Sequence, residues 1–272
     1  MVGGNSWNAE LATVWTKMVG PSRPTISELN VYLKYIRCLQ LQRKRKLKML
    51  VLGSTPEFRD LGFEECMEVT VIDCNRDYYE KISREIRHKC ALEKEILYVK
   101  KWQEIDEQSK YDIIIGDLVT GNIEPNELEN FLLSVSNALL PGGYYLGKSF
   151  YQLKEYQVKQ PEDILKQYYN NPSYHPYSSM IYDFSIFCLE DDVLYFDKMY
   201  KLIESLFLSG MMDEKTFEYF QNIGLDNEMK FSFYIPSFES YLSSVAKYMN
   251  IESIDYSNDI YAKQFPLVIA KK

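Results

Sequence analysis

The chain has 272 residues, of which 46% are hydrophobic, and a formal net charge of −8. A chain of this length can bury one sizeable core, which favours a single α/β domain with an added subdomain, and its acidic balance argues against non-specific binding to nucleic acid or anionic membranes. Its five cysteines are scattered without a Cys-x-x-Cys pair, and no apolar run approaches the length of a membrane span. We therefore expect a cytoplasmic protein without disulfides, a metal site or a membrane segment.

The first predicted helix follows Thr25, because apolar residues recur at helical spacing through Leu29, Leu33 and Ile36. The helix ends in a basic run from Arg43 to Lys48. A basic run of this kind can bind RNA. Basic residues at a helix C-terminus also complement the helix dipole and remain solvated, and this second interpretation is the one favoured here.

A buried strand, a glycine and a second strand form the most informative pattern of the chain. The apolar run from Met49 to Leu52 stops at Gly53, and a helix begins at Pro56, since proline is favoured in the first helical turn. A second apolar run ends in Asp73, 20 positions after Gly53. In a doubly wound sheet this spacing places the carboxylate beside the ribose of a nucleotide that lies over the first strand.

The loop has fewer glycines than a turn that binds a dinucleotide, and this difference indicates which ligand it fits. A pyrophosphate needs several glycines so that the backbone can surround the anion. Here Ser54, Thr55 and Pro56 occupy those positions, and Pro56 also lacks a backbone donor. S-adenosylmethionine carries no phosphate, and it needs one close backbone approach and an acid for its two ribose hydroxyls. The loop therefore fits S-adenosylmethionine better than NAD.

Strands and helices continue to alternate up to residue 150. The predicted elements are a helix from Asn75 to about Lys89, a strand from Ile96 to Val99, a strand from Tyr111 to Asp117, a helix from Glu124 to Leu139 and a strand from Tyr144 to Phe150. This alternation implies right-handed crossovers and a parallel sheet that binds its ligand at the carboxyl edge. Asp117 ends the fourth strand at that edge, where side chains face the cofactor and the incoming substrate.

Residues 151 to 230 do not continue this alternation. The predicted elements are helices around Glu155 to Tyr169, Val193 to Ser209 and Asp213 to Ile223, and an aromatic and proline-rich loop from Tyr168 to Phe187. These segments have no sheet position to fill, so they should pack as an inserted helical cap over an edge or a pocket. A last helix from Pro236 to Met249 and a terminal hairpin of Ile251 to Tyr256 with Phe265 to Lys271 should follow.

Five segments resemble class I S-adenosylmethionine-dependent methyltransferases, in the same order. They are the Gly53 loop, Asp73, Tyr98 to Trp102, Tyr111 to Asp117, and Leu140-Pro141-Gly142-Gly143. More narrowly, the chain is similar to a subgroup with a Leu-Gly-x-Thr-Pro-Glu loop, a tryptophan before a Gly-Pro-x-Arg-Pro turn, and a C-terminal strand pair. The matching residues are Leu52 to Glu57, Trp15, Gly20 to Pro24, and Tyr261 to Ala270. The likeness covers residues 7 to 150 and 231 to 272. The chain differs from the family in two places: it lacks the second and third loop glycines, and it has Lys101 where many relatives carry an acid that contacts the adenine amine.

The resemblance implies a Rossmann-like α/β fold: a doubly wound, seven-stranded, mostly parallel sheet of order 3-2-1-4-5-7-6, with the last strand antiparallel. It divides the chain into an N-terminal helical segment over the site (1–47), a cofactor-binding core (48–150), the helical cap (151–230), and a C-terminal helix and hairpin that complete the sheet (231–272). The implied cofactor is S-adenosyl-L-methionine.

The residues expected to bind this cofactor are Gly53, Ser54, Thr55, Asp73, Trp102, Asp117, Leu118 and Arg23. The resemblance implies that Trp102 flanks the adenine, while Arg23 has the fork of donors to pair with the methionine carboxylate. Four of them have structural alternatives: Gly53 as a strand-end turn, Asp73 as a helix cap, Trp102 as a core aromatic and Arg23 as a surface residue beside a proline turn.

One of the two histidines lies among tyrosines in the cap loop, in the stretch Tyr174-His175-Pro176-Tyr177 with Tyr182 and Asp183 nearby. His175 and Tyr177 are the candidate catalytic residues, because a histidine can accept a proton from a substrate hydroxyl or amine as the methyl group arrives. A lone histidine in an aromatic loop is more often structural.

The expected function is methylation of a small molecule on oxygen or nitrogen, with the tyrosine-rich cap defining the acceptor. An RNA or protein methyltransferase is one alternative, favoured by the basic run but opposed by the acidic balance and by the absence of an Asn-Pro-Pro-Tyr type motif at Asp117 to Thr120. A catalytically silent cofactor-binding or dimerisation module is the other. A homodimer is compatible with each.

Overall fold

The computed structural model describes residues 11–153, 160–170, 176–222 and 232–272. The strands are β1 Lys48–Leu52, β2 Glu68–Asp73, β3 Ile96–Val99, β4 Tyr111–Gly116, β5 Leu139–Lys148, β6 Leu189–Glu190, β7 Val193–Tyr195, β8 Ser232–Tyr234, β9 Asn250–Asp255 and β10 Leu267–Lys271. The α-helices are α1 Leu11–Val14, α2 Ile26–Arg43, α3 Pro56–Glu64, α4 Arg76–Ile82, α5 Leu128–Ala138, α6 Pro161–Asn170, α7 Pro176–Ser185, α8 Phe196–Leu208, α9 Glu214–Asn222 and α10 Phe238–Ala246. Within the described part of the chain, no helix combines the length and the apolar character that crossing a membrane would require.

The main sheet has seven strands in the order β3-β2-β1-β4-β5-β10-β9. The five strands of the core pair in parallel, and β10 is antiparallel to both of its neighbours. The predicted fold class is therefore confirmed, including the order of the strands and the direction of the last one.

Both faces of the main sheet are covered by helices, so its central strands are buried on both sides. In β4, Ile113 and Ile115 pack with α2 and α3, while Ile114 packs on the opposite face with α5 and α10, as the two-residue period of a strand requires. All three side chains are fully buried. Burying a side chain of this size stabilises the fold by about 1.5–3 kcal/mol. This packing fixes the carboxyl ends of β1, β2 and β4 relative to one another.

The cap packs with a small three-stranded sheet that sequence reasoning did not predict, and its last strand, β8, lies in the C-terminal segment beyond residue 230. Helices α6 to α9 pack with an antiparallel sheet of order β6-β7-β8 around a shared hydrophobic cluster. The helix predicted from Val193 begins only at Phe196, because Val193–Tyr195 pair with β8. The predicted loop from Tyr168 to Phe187 was wrong for its second half, which forms α7; Met180 and Phe184 lie four residues apart on this helix and are fully buried.

Boundaries in the core differ from the predicted ones for local reasons. The helix predicted from Asn75 to Lys89 ends at Ile82, where the chain tightens into a 3-10 turn over Ser83–Glu85 and then becomes extended at Ile86. Helix α5 begins only at Leu128, after a 3-10 turn over Pro125–Glu127, and β5 already begins at Leu139. Strand β3 and the terminal hairpin agree closely with the prediction.

Candidate cofactor site

A cavity of about 460 Å³ opens at the carboxyl ends of β1, β2 and β4, where the doubly wound fold places its ligands. Seven of the residues predicted to bind the cofactor line it: Gly53, Ser54, Thr55, Asp73, Trp102, Asp117 and Leu118. Further lining comes from the turn after β3, from several residues between Asn122 and Ser134, and from Trp15 and Ser22 of the N-terminal segment.

Gly53 makes the turn that leads from β1 toward α3. Its φ of +82° lies in the left-handed region, which costs a residue with a side chain about 1–2 kcal/mol. Its N–H donates to the carbonyl of Ile72 on β2 (2.9 Å). A Cβ atom at this position would lie 3.3 Å from Cζ2 of Trp102. Backbone and ring thus approach closely here, and a glycine keeps this wall of the cavity bare. Thr55 precedes α3 without capping it through its side chain.

Asp73 ends β2 with a carboxylate that borders the cavity and is held from two sides. The Ser54 hydroxyl donates to Oδ2 (2.5 Å), and the N–H of Asn75 donates to Oδ1 (2.9 Å). Each oxygen can accept a second hydrogen bond, so capacity remains for the hydroxyls of a ligand. Burial raises the pKa of Asp73, and the hydrogen bonds from Ser54 and Asn75 oppose this rise. The cap of α4 is Asn75, whose side chain accepts from Tyr78 N–H (3.0 Å).

Trp102 stands in the turn after β3 and forms a wall of the cavity. Its Nε1 donates to the carbonyl of Ile72 (3.1 Å), and its ring is tilted against Phe131 at a centroid distance of 6.3 Å. These contacts fix the ring over Gly53. Trp102 therefore packs on the core and also faces the cavity, and its place beside an adenine stays a prediction.

Asp117 belongs to a buried ionic cluster that sequence reasoning missed. The ammonium of Lys148, at the end of β5, lies 2.9 Å from Asp117 Oδ1, 2.9 Å from Glu28 Oε1 and 3.0 Å from the carbonyl oxygen of Pro21. We call Lys148, Glu28 and Asp117 the Lys148 cluster; their side chains are 1%, 1% and 5% exposed. Burial raises the pKa of Asp117 and raises that of Glu28 to about 7, while Lys148 opposes both shifts. Burial alone would lower the pKa of Lys148, but the two carboxylates raise it. The signal available in the sequence was a lysine at the end of a buried strand, which requires a carboxylate partner.

The N-terminal segment supplies one side of the cavity through Trp15 and Ser22. Arg23 is not among the described lining residues, and its Nε pairs with Glu57 in the first turn of α3. Burial raises the pKa of Glu57, which Arg23 counteracts. Among the described residues, neither Trp15 Nε1 nor Glu57 Oε2 has a hydrogen-bond partner, although both atoms are buried. The contact of Arg23 with a cofactor carboxylate stays a prediction, and the structure gives Arg23 a different partner.

The predicted catalytic residues of the cap lie at the limit of the described chain. His175 falls outside the described residues, and Tyr177 lies in α7 with a side chain that is also outside the description. Tyr182 packs against Phe265, and its hydroxyl lies 3.3 Å from Ser22 Oγ. Asp183 accepts from the Tyr168 hydroxyl (2.7 Å) and from Gln264 (3.1 Å). No described residue of the cap lines the cavity. Tyr182 and Asp183 instead join the cap to the N-terminal segment through Ser22 and to the C-terminal segment through Gln264.

The other histidine, His88, lies away from this cavity. Its Nε2 is 2.8 Å from Glu64 Oε1, and its ring stacks on Phe63. Across residues 11–153, 160–170, 176–222 and 232–272, no group of three or more His, Cys, Asp or Glu side chains is arranged to hold a metal ion.

The fold is shared with solved structures, whereas no protein-family model and no curated protein matches the chain. A protein from Rhodobacter sphaeroides described as a putative Zn-dependent alcohol dehydrogenase is 16% identical, with a TM-score of 0.58 over 99% of this chain and 97% of that one. The N-methyltransferase NodS from Bradyrhizobium japonicum WM9, in complex with S-adenosylhomocysteine, is 10% identical, with a TM-score of 0.52 over 98% and 99%. The Burkholderia thailandensis 1,6-didemethyltoxoflavin-N1-methyltransferase, with bound 1,6-didemethyltoxoflavin and S-adenosylhomocysteine, is 9% identical, with a TM-score of 0.51 over 100% and 91%. At these identities the likeness establishes the fold alone.

Proposed function

We propose that the protein is an S-adenosylmethionine-dependent methyltransferase that acts on oxygen or nitrogen of a small molecule. The observation that carries this proposal is the convergence of the Gly53 turn, the Asp73 carboxylate and the Trp102 ring on one cavity at the carboxyl edge of the sheet. In a doubly wound fold this edge receives the nucleoside part of a ligand.

The cavity suits S-adenosylmethionine better than a dinucleotide. Its volume of about 460 Å³ is in the range of sites for a single small molecule. The turn has one glycine, and Pro56 at the first position of α3 removes a backbone donor that a pyrophosphate would use. Asp73 keeps acceptor capacity for two ribose hydroxyls. The two neighbours crystallised with S-adenosylhomocysteine support the same ligand, and the neighbour described as an alcohol dehydrogenase makes NAD the competitor to test.

The chain's contribution to the reaction would be alignment of the acceptor and exclusion of water. The bound cofactor would supply an electrophilic methyl group, and no covalent enzyme intermediate is needed. We place the acceptor between two parts of the cavity wall. One part is Asp117 and Leu118, which follow β4, and the other is Trp15 and Ser22 of the N-terminal segment. The cap would then define the acceptor less directly than the sequence indicated, and proton acceptance by His175 or Tyr177 stays part of the proposal.

Isothermal titration calorimetry with S-adenosylmethionine, S-adenosylhomocysteine and NAD tests the ligand. We expect both sulfur nucleosides to bind with micromolar dissociation constants, that is about −8 kcal/mol, and NAD to bind at least roughly 100-fold more weakly. Preferential binding of NAD would replace the methyltransferase proposal with that of an oxidoreductase.

A second experiment identifies the class of acceptor. The protein is incubated with a cell extract and S-adenosylmethionine that carries a radioactive methyl group, and the label is then measured in the small-molecule, RNA and protein fractions. We expect the label in the small-molecule fraction. Label in RNA or protein would favour a macromolecular acceptor, and cofactor binding without any transfer would favour a silent module. Size-exclusion chromatography of the same preparation would show whether the protein forms a homodimer, which is compatible with each of these functions.

A further inference from the structure

The Lys148 cluster joins two parts of the protein at the cofactor cavity. Glu28 and the Pro21 carbonyl belong to the N-terminal segment, whereas Asp117 and Lys148 follow or end strands of the core. The ammonium donates to Glu28 and to the Pro21 carbonyl, and it forms an ion pair with Asp117, whose Oδ1 lies 2.9 Å away outside hydrogen-bond geometry. Asp117 and Ser22, the residue after Pro21, both line the cavity. The cluster is therefore in direct reach of a ligand through Asp117 and is otherwise closed to solvent.

The charge of the Lys148 cluster depends on one proton. One ammonium and two carboxylates give a net charge of −1, and the cluster is neutral when the two carboxyl groups share a proton. Two such groups beside one lysine titrate as a unit. Since burial raises the pKa of both, that of Glu28 to about 7, the change falls near neutral pH. A single charge acts more strongly in such a desolvated place than at the surface.

We propose that the Lys148 cluster selects the charged form of the cofactor, because its net negative charge stabilises a sulfonium beside Asp117 and leaves the neutral thioether of the product unaided. Glu28 is the positioning residue in this device, since it acts on the ligand only through Lys148 and Asp117. The inference rests on the proposed function, and it adds a means of releasing the product in exchange for fresh cofactor.

The other titratable groups around the cluster do not produce the same effect. Three tyrosines face it from α2, α7 and the C-terminal segment, and burial raises the pKa of each, so they stay neutral near pH 7: Tyr32, Tyr182 and Tyr261. Glu57 faces Asp117 from α3 and is paired with Arg23. Asp259 accepts from the hydroxyl of Thr25, the N-cap residue of α2, whose oxygen in turn accepts from the N–H of Glu28. Asp73 borders the part of the cavity proposed for the ribose, which substrate and product share.

The test compares the dissociation constants of S-adenosylmethionine and S-adenosylhomocysteine by calorimetry from about pH 6 to about pH 8.5. The two ligands differ only at the sulfur. Any pH dependence that comes from contacts to the shared ribose or amino-acid tail, such as those of Asp73, therefore cancels in the ratio of their affinities. In the wild-type protein we expect the preference for S-adenosylmethionine to rise with pH by roughly three- to tenfold, the effect of one unit charge several Å away in a partly screened site. In Glu28→Gln the ratio should be independent of pH, because the titrating proton is gone.

Two variants serve as controls. Asp112 is a fully buried carboxylate at the opposite end of β4, paired with Arg45, so Asp112→Asn removes a comparable charge far from the cavity. Glu57→Gln removes the other carboxylate that faces Asp117. Both should keep the wild-type pH dependence of the ratio.

A wild-type ratio that stays constant with pH overturns the proposal, and this outcome needs no variant, so it is decisive even where Glu28→Gln does not fold. The same pH dependence in Glu28→Gln as in the wild type overturns it as well, and loss of the dependence in Glu57→Gln alone would assign the device to Glu57. Failure of the proposed function looks different: with the wrong cofactor neither ligand binds at any pH, and with a silent module both bind but the labelling experiment shows no methyl transfer.

Discussion

Replacement of Gly53 separates a ligand contact from an ordinary turn. Gly210 in the cap is a matched control, because its φ is +75° and a Cβ atom there would meet nothing within 4 Å. At either position, a residue with a side chain costs about 1–2 kcal/mol for the left-handed backbone. A difference between the two variants therefore reports on what surrounds Gly53 and not on its backbone conformation.

Two further costs arise only at Gly53. The new Cβ atom lies 3.3 Å from Trp102 Cζ2, so the ring has to move, and this weakens the hydrogen bond from Trp102 Nε1 to the Ile72 carbonyl (3.1 Å). A bond of this kind contributes about 0.5–1.5 kcal/mol. We expect Gly53→Val to lose about 1.5–3.5 kcal/mol of stability, and Gly210→Val about 1–2 kcal/mol. The valine methyl groups at position 53 also extend toward the proposed ligand, which should lower the affinity for S-adenosylmethionine by at least roughly 100-fold.

Thermal unfolding measures the first quantity, since 1 kcal/mol shifts the Tm of a chain of this size by about 2–4 °C. Calorimetry well below the Tm measures the second. Gly210→Val should bind S-adenosylmethionine as the wild type does. A folded Gly53→Val protein with wild-type affinity would refute the assignment of this turn to the cofactor.

Three other perturbations address the remaining parts of the site. Asp73→Ala should weaken cofactor binding by roughly 10- to 100-fold, because hydrogen bonds to a charged group contribute about 1.5–3 kcal/mol. The control Ser54→Ala removes one donor to Asp73 and keeps the carboxylate, so it should lose less cofactor affinity. A calorimetric titration of Asp73→Ala that matches the wild type would leave Asp73 only a role in local structure. Arg23→Ala removes the partner of the buried Glu57, so we expect a loss of about 1–3 kcal/mol in urea unfolding. If Arg23 also contacts the methionine carboxylate, this variant loses more affinity for S-adenosylmethionine than for methylthioadenosine, and equal losses count against the contact. Burial raises the pKa of Glu28 in the folded protein from its ordinary value of 4.5 to about 7, so the folded protein holds this proton more tightly than the unfolded chain. Relative to Glu28→Gln, wild-type stability should fall as the pH rises from about 4.5 to about 7, and a rise would contradict the burial of an ionisable Glu28.

The parts of the fold that sequence reasoning predicted are those that depend on neighbouring residues. The strand before Gly53, the helix start at Pro56 and the strand that ends in Asp73 each have a local signal, and together they indicated most of the residues that line one cavity at the sheet edge. The Lys148 cluster depends on Glu28, which is 120 positions away from Lys148, and no local pattern pairs the two. Tyr182 likewise meets Ser22 across 160 positions, so its role as an anchor of the N-terminal segment was not predictable from the aromatic stretch around it.

The loop between β4 and α5 lies between the cavity and the cap. Leu118, with a φ of +49°, lines the cavity and also packs in the hydrophobic cluster of the cap, and a Cβ atom on Gly121 would lie 3.0 Å from the ring of Phe233 in β8. A ligand that holds this loop in place also holds the surface on which β8 packs, so the free energy of local opening of the cap sheet should rise with occupancy. Amide hydrogen exchange in β8 would then slow when the cofactor binds, although no described side chain of the cap reaches the cavity.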